Sequence, residues 1–273
     1  MQCEEASTKY AMQKNKAERS VLLSQIAVAI FAILAVVASV VLYTDYTRET
    51  EAAKEFQSLR SGVVSLPPAE TVTPPQTPAE LYAPLVEQNP DFAAWLSIPG
   101  TTVDYPVMQT PQNPDYYLTH GFDKKYSPYG VPYASASSDL SPTGQNVVIY
   151  GHHTKNQGVF GALVAYKDPA YYQEYPQIQF HTLQEFGTYD IAAVFQTTAD
   201  AANPDAFNYT NATSFADEAA FAAFWEEVTA RMLYPTGQSV QYGDRLLLLS
   251  TCEYSQADGR LVVVAKRQTA SPN

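Results

Sequence analysis

At 273 residues with 46% apolar content, the chain is long enough for one or two domains with a sizeable buried core. Its net charge of −12 at pH 7 excludes nucleic acid as a partner class, because phosphate binding needs clustered Lys and Arg. Residues 1–43 hold four basic and three acidic residues, which leaves 12 basic and 25 acidic residues downstream, a surplus that reads as ordinary solubility.

The first element is VLLSQIAVAIFAILAVVASVVLY, from Val21 to Tyr43, with no charge between Arg19 and Asp45. About 20 apolar residues cross a hydrocarbon core, so residues 21–43 read as a transmembrane anchor. The run exceeds the roughly 7–15 apolar residues of a cleaved signal peptide, and no clear A-x-A site closes it. Lys14, Lys16 and Arg19 crowd its N-terminal flank, so the positive-inside rule puts residues 1–20 in the cytoplasm and the remainder outside. Cys3 and Cys252, the only cysteines, then lie on opposite sides of the membrane and cannot pair. A lone thiol in a compartment where thiols oxidise is an odd core filler and asks for a chemical role.

Residues 44–62 are polar and helix-friendly and read as a continued, stalk-like helix. LPPAETVTPPQTPAE follows, with Pro67, Pro68, Pro74, Pro75 and Pro78. Such a segment is an extended spacer, about 3.1 Å per residue. The expected plan is a cytoplasmic 1–20, an anchor 21–43, a stalk and linker 44–78 and a globular domain 79–273. Within that domain LYAPLVEQNPDFAAWLSIPG reads as a short helix or two ending at Pro99-Gly100. TTVDYPVMQ alternates as a strand, with Pro106 marking an edge or bulge. QNVVIYGH, YDIAAVFQTT, RLLLLSTC and RLVVVAKR read as further strands. One helix interrupts them over 215–233, after Ser214 and with Asp217 as an acidic N-terminal signal. Its Phe221, Phe224, Trp225, Val228 and Met232 form one stripe that packs on the strands. Strands without regular helical partners indicate a closed antiparallel or mixed β-barrel.

Three local patterns carry chemistry. NVVIYGHHT delivers Gly151, His152 and His153 at a strand end, LLLLSTCEY ends a strand at Cys252, and DGRLVVVAK opens the next with Arg260. Asp258-Gly259 is a turn signal, so the last two strands form a hairpin that makes Cys252 and Arg260 neighbours. A free thiol of pKa about 8.5 is only slightly ionised at neutral pH. A histidine can take its proton and later protonate a departing amine. An arginine stays charged and can hydrogen-bond a developing oxyanion. Successive strand residues face opposite ways, so only one of His152 and His153 should meet Cys252. His120 and His181 read as solvated or capping residues, and the four histidines and Cys252 lack close metal-ligand spacing. The sequons at Asn208 and Asn211 read as accidental.

Taken together and in this order, the Gly-His pair, the LSTC segment and the Arg-led VVV strand resemble the sortases, and the details resemble class B. AWLSIPGTTVDYPVMQ, DYYLTHGFD and GVFGALVAYKDPAYYQEYPQIQFHT support the resemblance, which covers roughly 80–268. It implies a mainly β fold: a closed eight-stranded barrel with N-terminal helices and one long inserted helix, preceded by a single transmembrane helix. It implies a cofactor-free cysteine transpeptidase with Cys252 as nucleophile and His152 and Arg260 as partners. Tyr150 would line the substrate groove, Ser250 and Thr251 would flank the sorting-signal pocket as substrate-binding residues, and the Glu253 N–H would add to the oxyanion hole. The implied substrates are surface proteins with a C-terminal sorting signal of Leu-Pro-X-Thr-Gly or Asn-Pro-Gln-Thr-Asn type. The acceptor would be a cell-wall cross-bridge or pilin amine. One departure is Leu248, where the common Thr-Leu-X-Thr-Cys motif begins with Thr. The order His before Cys argues against a papain-like peptidase, and no His-Gly-Cys cluster marks an L,D-transpeptidase. A stalked binding module would need no convergence of Cys, His and Arg.

Overall fold

A computed structural model describes residues 2–64, 77–154 and 158–269. The proline-rich spacer expected over 67–78 therefore falls almost wholly outside the described residues. The chain divides into two compact units, Met1–Glu51 and Ala52–Asn273. Helix α1 runs Gln2–Val64. Its stretch Leu22–Arg48, which contains an 18-residue window of mean hydropathy 2.9, is long and apolar enough to cross a membrane.

The second unit is built on a closed barrel of eight strands: β1 Phe92–Ser97, β2 Asp104–Met108, β3 Tyr133–Ala134, β4 Asn146–Tyr150, β5 Gln177–Thr182, β6 Thr188–Thr198, β7 Leu246–Cys252 and β8 Gly259–Arg267. Their order around the barrel is β1-β2-β3-β4-β7-β8-β6-β5, closing on β1. Pairing is antiparallel except at β2–β3 and β4–β7. Parallel neighbours need a crossover, and the β4-to-β7 crossover carries α3 (Pro169–Glu174), β5, β6 and α4 (Glu218–Arg231). Helix α2 (Pro78–Gln88) precedes β1 and starts on a capping box: Glu80 N–H donates to Thr77 Oγ1, and Thr77 N–H to Glu80 Oε2.

The unbroken apolar runs of β7 and β8 are explained by burial on both faces. Val147, Ile149, Leu247, Leu249, Leu261 and Val263 belong to the main core, whereas Val148, Leu246, Leu248, Val262 and Val264 pack with Phe221, Phe224 and Val228 of α4. The alternation of strand side chains thus feeds two cores from one set of strands. Leu248 lies wholly inside the second core, which is why an apolar residue suits that place.

Three readings of the sequence change. FAAWLS is a strand, not helix: despite two helix-favouring alanines, it is hydrogen-bonded between β2 and β5. Two further strands, β3 and β5, went unassigned, being respectively two residues long and rich in polar Gln, His and Thr. The inserted helix starts at Glu218, because the Asp217 carboxylate caps it by accepting from Ala220 N–H at 2.8 Å. Pro106 pairs with Trp95 on a stretch of β2 that β3 reaches only at Met108, so its missing N–H leaves no ladder bond unmade.

The end of α1, expected as part of a stalk, contributes to the core of the second unit. Phe56 and Leu59 are 6% and 8% exposed. The Phe56 ring meets Tyr105 edge-on at 5.1 Å, and Arg60 pairs with Asp104 at 2.9 Å. Phe56→Ala in the full chain should therefore cost about 3 kcal/mol of stability, the range for truncating a buried Phe. Thermal unfolding in detergent micelles checks this; a free spacer predicts a change within about 0.5 kcal/mol.

Candidate active site

The site forms where β4, β7 and β8 end together. The β4–β7 ladder runs from Asn146↔Leu246 to Tyr150↔Ser250, and Gly151 N–H donates to Ser250 O (3.1 Å) as its last rung. The β7–β8 ladder ends at Cys252↔Arg260, as the Asp258-Gly259 turn foretold. Asp258 takes φ +50°, and a Cβ on Gly259 would stand 2.3 Å from Glu253 O, so the hairpin closes only with glycine there.

Parity decides which way these residues face. Tyr150, Ser250, Cys252 and Arg260 share the strand face of Val148, Leu248 and Val262, the outer face that α4 covers further along. Beyond α4 that face opens into a groove of about 670 Å³ whose walls include Asp115, Tyr133, Tyr150, Phe207, Tyr209 and Arg260. One wall is the arm between β6 and α4. Phe207 packs on Phe195 and Phe224, Tyr209 on Phe195, and the Tyr209 hydroxyl bonds the Ser250 hydroxyl at 2.6 Å.

Cys252 is a free, partly exposed thiol. Arg260 Nη1 donates to Asp258 O (3.1 Å) and Gly259 O (2.9 Å), which holds the guanidinium at the turn. His152 lies two residues past β4, and its Nε2 is 2.7 Å from Leu118 O. A carbonyl only accepts, so Nε2 carries the proton and Nδ1 is left free to exchange one. Gly151 is required before it: an added Cβ would stand 2.5 Å from the buried Phe160 ring. His153 turns elsewhere, with Nδ1 3.0 Å from Cys252 O and its ring stacked on Tyr254.

The remaining candidates surround Cys252, Arg260 and His152. Ser250 and Thr251 are 3% and 2% exposed. Their hydroxyls are engaged beneath the groove, Ser250 with Tyr209 and Thr251 donating to Gly151 O (2.9 Å). The Glu253 N–H, expected at an oxyanion, donates to Gly259 O (2.9 Å) and so closes the hairpin. Burial pushes the Glu253 carboxyl up, but the Ser255 hydrogen bonds and the Lys167 ammonium at 2.9 Å outweigh it and hold it below its usual range. Tyr150 does line the groove, with burial raising its phenol to about 12. His120 and His181, read as solvated or capping, are part-buried with ring nitrogens on local backbone, His120 Nδ1 2.8 Å from Tyr116 O and His181 Nδ1 accepting from Gly187 N–H at 3.2 Å. His120 stacks on Tyr116 at 4.0 Å, and His181, on β5, has its pKa lowered chiefly by burial. No group of three or more His, Cys, Asp or Glu fit for a metal occurs among the described residues.

Sequence reasoning missed Leu118, Asp115, Tyr133 and Tyr209. Burial raises the Tyr133 phenol, and it donates to Asp115 Oδ1 at 3.3 Å. They lie in loops, in the three-residue 3-10 helix Tyr116–Leu118 or on a two-residue strand, all too short for periodicity to mark a face.

A sortase-domain family model matches residues 96–268. Sortase B of Staphylococcus aureus (strain NCTC 8325 / PS 47) is 30% identical over 190 residues, covering 68% of this chain and 73% of its own length. Sortase B of Listeria monocytogenes is 29% identical over 187 residues, with the same coverage. Among solved structures, a Staphylococcus aureus sortase B–substrate complex superposes with a TM-score of 0.71 at 24% identity, over 82% of this chain and 100% of that one. Clostridium perfringens sortase B gives 0.61 at 27% identity, over 68% and 99%. The chain therefore belongs to the sortase family of cysteine transpeptidases, with sortase B enzymes among its relatives.

Proposed function

We propose that this sortase is membrane-anchored through residues 21–43, with its N-terminus cytoplasmic and its barrel outside. There it cleaves a C-terminal sorting signal and passes the protein to a cell-wall or pilin amine. The observation that carries the reading is the register pair Cys252↔Arg260 beside the β4 terminus that bears His152.

In the proposed cycle the Cys252 thiol gives its proton to His152 Nδ1 and the thiolate attacks the scissile carbonyl carbon, forming an S–C bond, while Arg260 hydrogen-bonds the oxyanion. Nη1 is already engaged with the turn, so Nε and Nη2 are the donors left for that oxygen. The C–N bond then breaks and His152 Nδ1–H protonates the leaving amine. The acceptor amine attacks the thioacyl carbon, gives its proton to His152 and releases Cys252. Tyr150 lines the groove for the signal, Ser250 and Thr251 brace it from below, and Glu253 fixes the turn that presents Arg260.

Intact mass spectrometry of the full chain in detergent, incubated with peptides of the Leu-Pro-X-Thr-Gly and Asn-Pro-Gln-Thr-Asn types, tests the reaction. A thioacyl adduct or cleavage within one signal, absent in Cys252→Ala, is expected; neither with any peptide from folded protein counts against the reading. Arg260→Lys should lose about 100-fold or more in kcat/KM with an unchanged melting curve, because lysine lacks the planar fork. His152→Ala should abolish turnover, and near-wild-type rates in either variant would remove that role. In intact cells a membrane-impermeant maleimide should label Cys252 and spare Cys3; labelled Cys3 would reverse the topology.

A further inference from the structure

The β4–β7 ladder stops one residue short of where it is needed. Its last rung joins Gly151 to Ser250, and the Thr251 hydroxyl adds a bond to Gly151 O. His152 and Cys252 both lie beyond it, on two segments that no backbone ladder joins to each other. A reactive pair on two strand ends needs a tie between those ends, because a misplacement of about 1 Å can cost about 100-fold in rate.

The tie is reciprocal. His153 Nδ1 lies 3.0 Å from Cys252 O, and the Tyr254 hydroxyl donates to His153 O at 3.2 Å. The two rings stack at 4.8 Å with 29° between their planes. Each segment thus gives a side chain to the other's backbone, one bond on the nucleophile and one on the residue after His152. Because Cys252 O only accepts, His153 Nδ1 carries the hydrogen, and that hydrogen is present in the neutral Nδ1–H ring and in the cation alike. His153 is thereby committed to a backbone carbonyl and is not a second acid–base group. Tyr254, 70% exposed, has little packing of its own to justify its place and is held by this contact.

We infer that His153 is a positioning residue of the transpeptidation reaction, acting through the Cys252 carbonyl, with Tyr254 as its backing. The inference rests on the proposed roles of Cys252 and His152. In the full chain His153→Ala should lower kcat about 10- to 100-fold with KM for the signal peptide within about twofold and the shape of the pH profile unchanged. His153→Asn, whose amide can donate from the place of Nδ1, should restore kcat to within about threefold, whereas His153→Gln, with its donor one bond further out, should not. Tyr254→Phe keeps the ring and removes one hydroxyl, so it should give a smaller loss in the same direction. A His153→Ala enzyme within twofold of wild type, equal rescue by Gln, or a loss confined to KM would overturn the inference.

Amide hydrogen exchange supplies a second reading that needs no substrate. Segments 152–154 and 252–254 should exchange faster in His153→Ala and not in His153→Asn, with β6 and β8 unchanged. Unchanged exchange in His153→Ala overturns the clasp. If wild type forms no thioacyl adduct with any peptide, the transpeptidase reading fails on its own, and the exchange result still decides the clasp.

Discussion

The parallel pairing of β4 with β7 sets the position of everything else at the site. It puts Tyr150 opposite Ser250 and so brings the segment after β4, with its histidines, alongside the segment that ends in Cys252. The antiparallel pairing of β7 with β8 then delivers Arg260 opposite Cys252. Because side-chain period along a strand is two, a slip of one residue in either ladder would turn the thiol or the guanidinium to the other face. The apolar load on both faces resists such a slip. Leu247 and Leu249 would leave one core and Leu246 and Leu248 the other.

The same alternation that builds two cores also builds the groove. Where α4 covers the outer face, that face is filled by Val148, Leu248, Val262 and Val264. Two residues further along each strand, the same face carries Tyr150, Ser250 and Arg260 and meets the arm of Phe207 and Tyr209 instead of a helix. Helix α4 therefore acts at a distance. It fixes the arm through aromatic contacts from Phe224 to Phe207, and the arm in turn reaches the strand that ends in Cys252 through Tyr209 and Ser250.

Much of this was legible in the residues because the informative segments are short strands bounded by strong turn signals. LLLLSTC, DGR and YGHH state strand, turn and terminus directly, and Asp258-Gly259 alone made Cys252 and Arg260 neighbours. What was not legible depends on tertiary partners. FAAWLS has helix-favouring alanines and becomes a strand only because β2 and β5 flank it. Phe56 and Leu59 sit in a polar segment that reads as a stalk until Tyr105 is seen against Phe56. Ser250, Thr251 and Glu253 flank the cysteine and looked open to substrate, but their hydrogen bonds are spent on Tyr209, Gly151 and Gly259. The tautomer of His152 follows from Leu118, a contact 34 residues away that no local pattern records.

The most direct test of the account is a crystal structure of the chain covalently trapped with a sorting-signal analogue that carries a thiol-reactive group at the scissile carbonyl. The account predicts a bond to Cys252 Sγ and the carbonyl-equivalent oxygen facing the Arg260 guanidinium. The peptide should lie in the groove between Tyr150 and Tyr209, with His152 Nδ1 toward the sulfur. A peptide lying outside that groove, or His153 turned to the sulfur with its bond to Cys252 O broken, would contradict it.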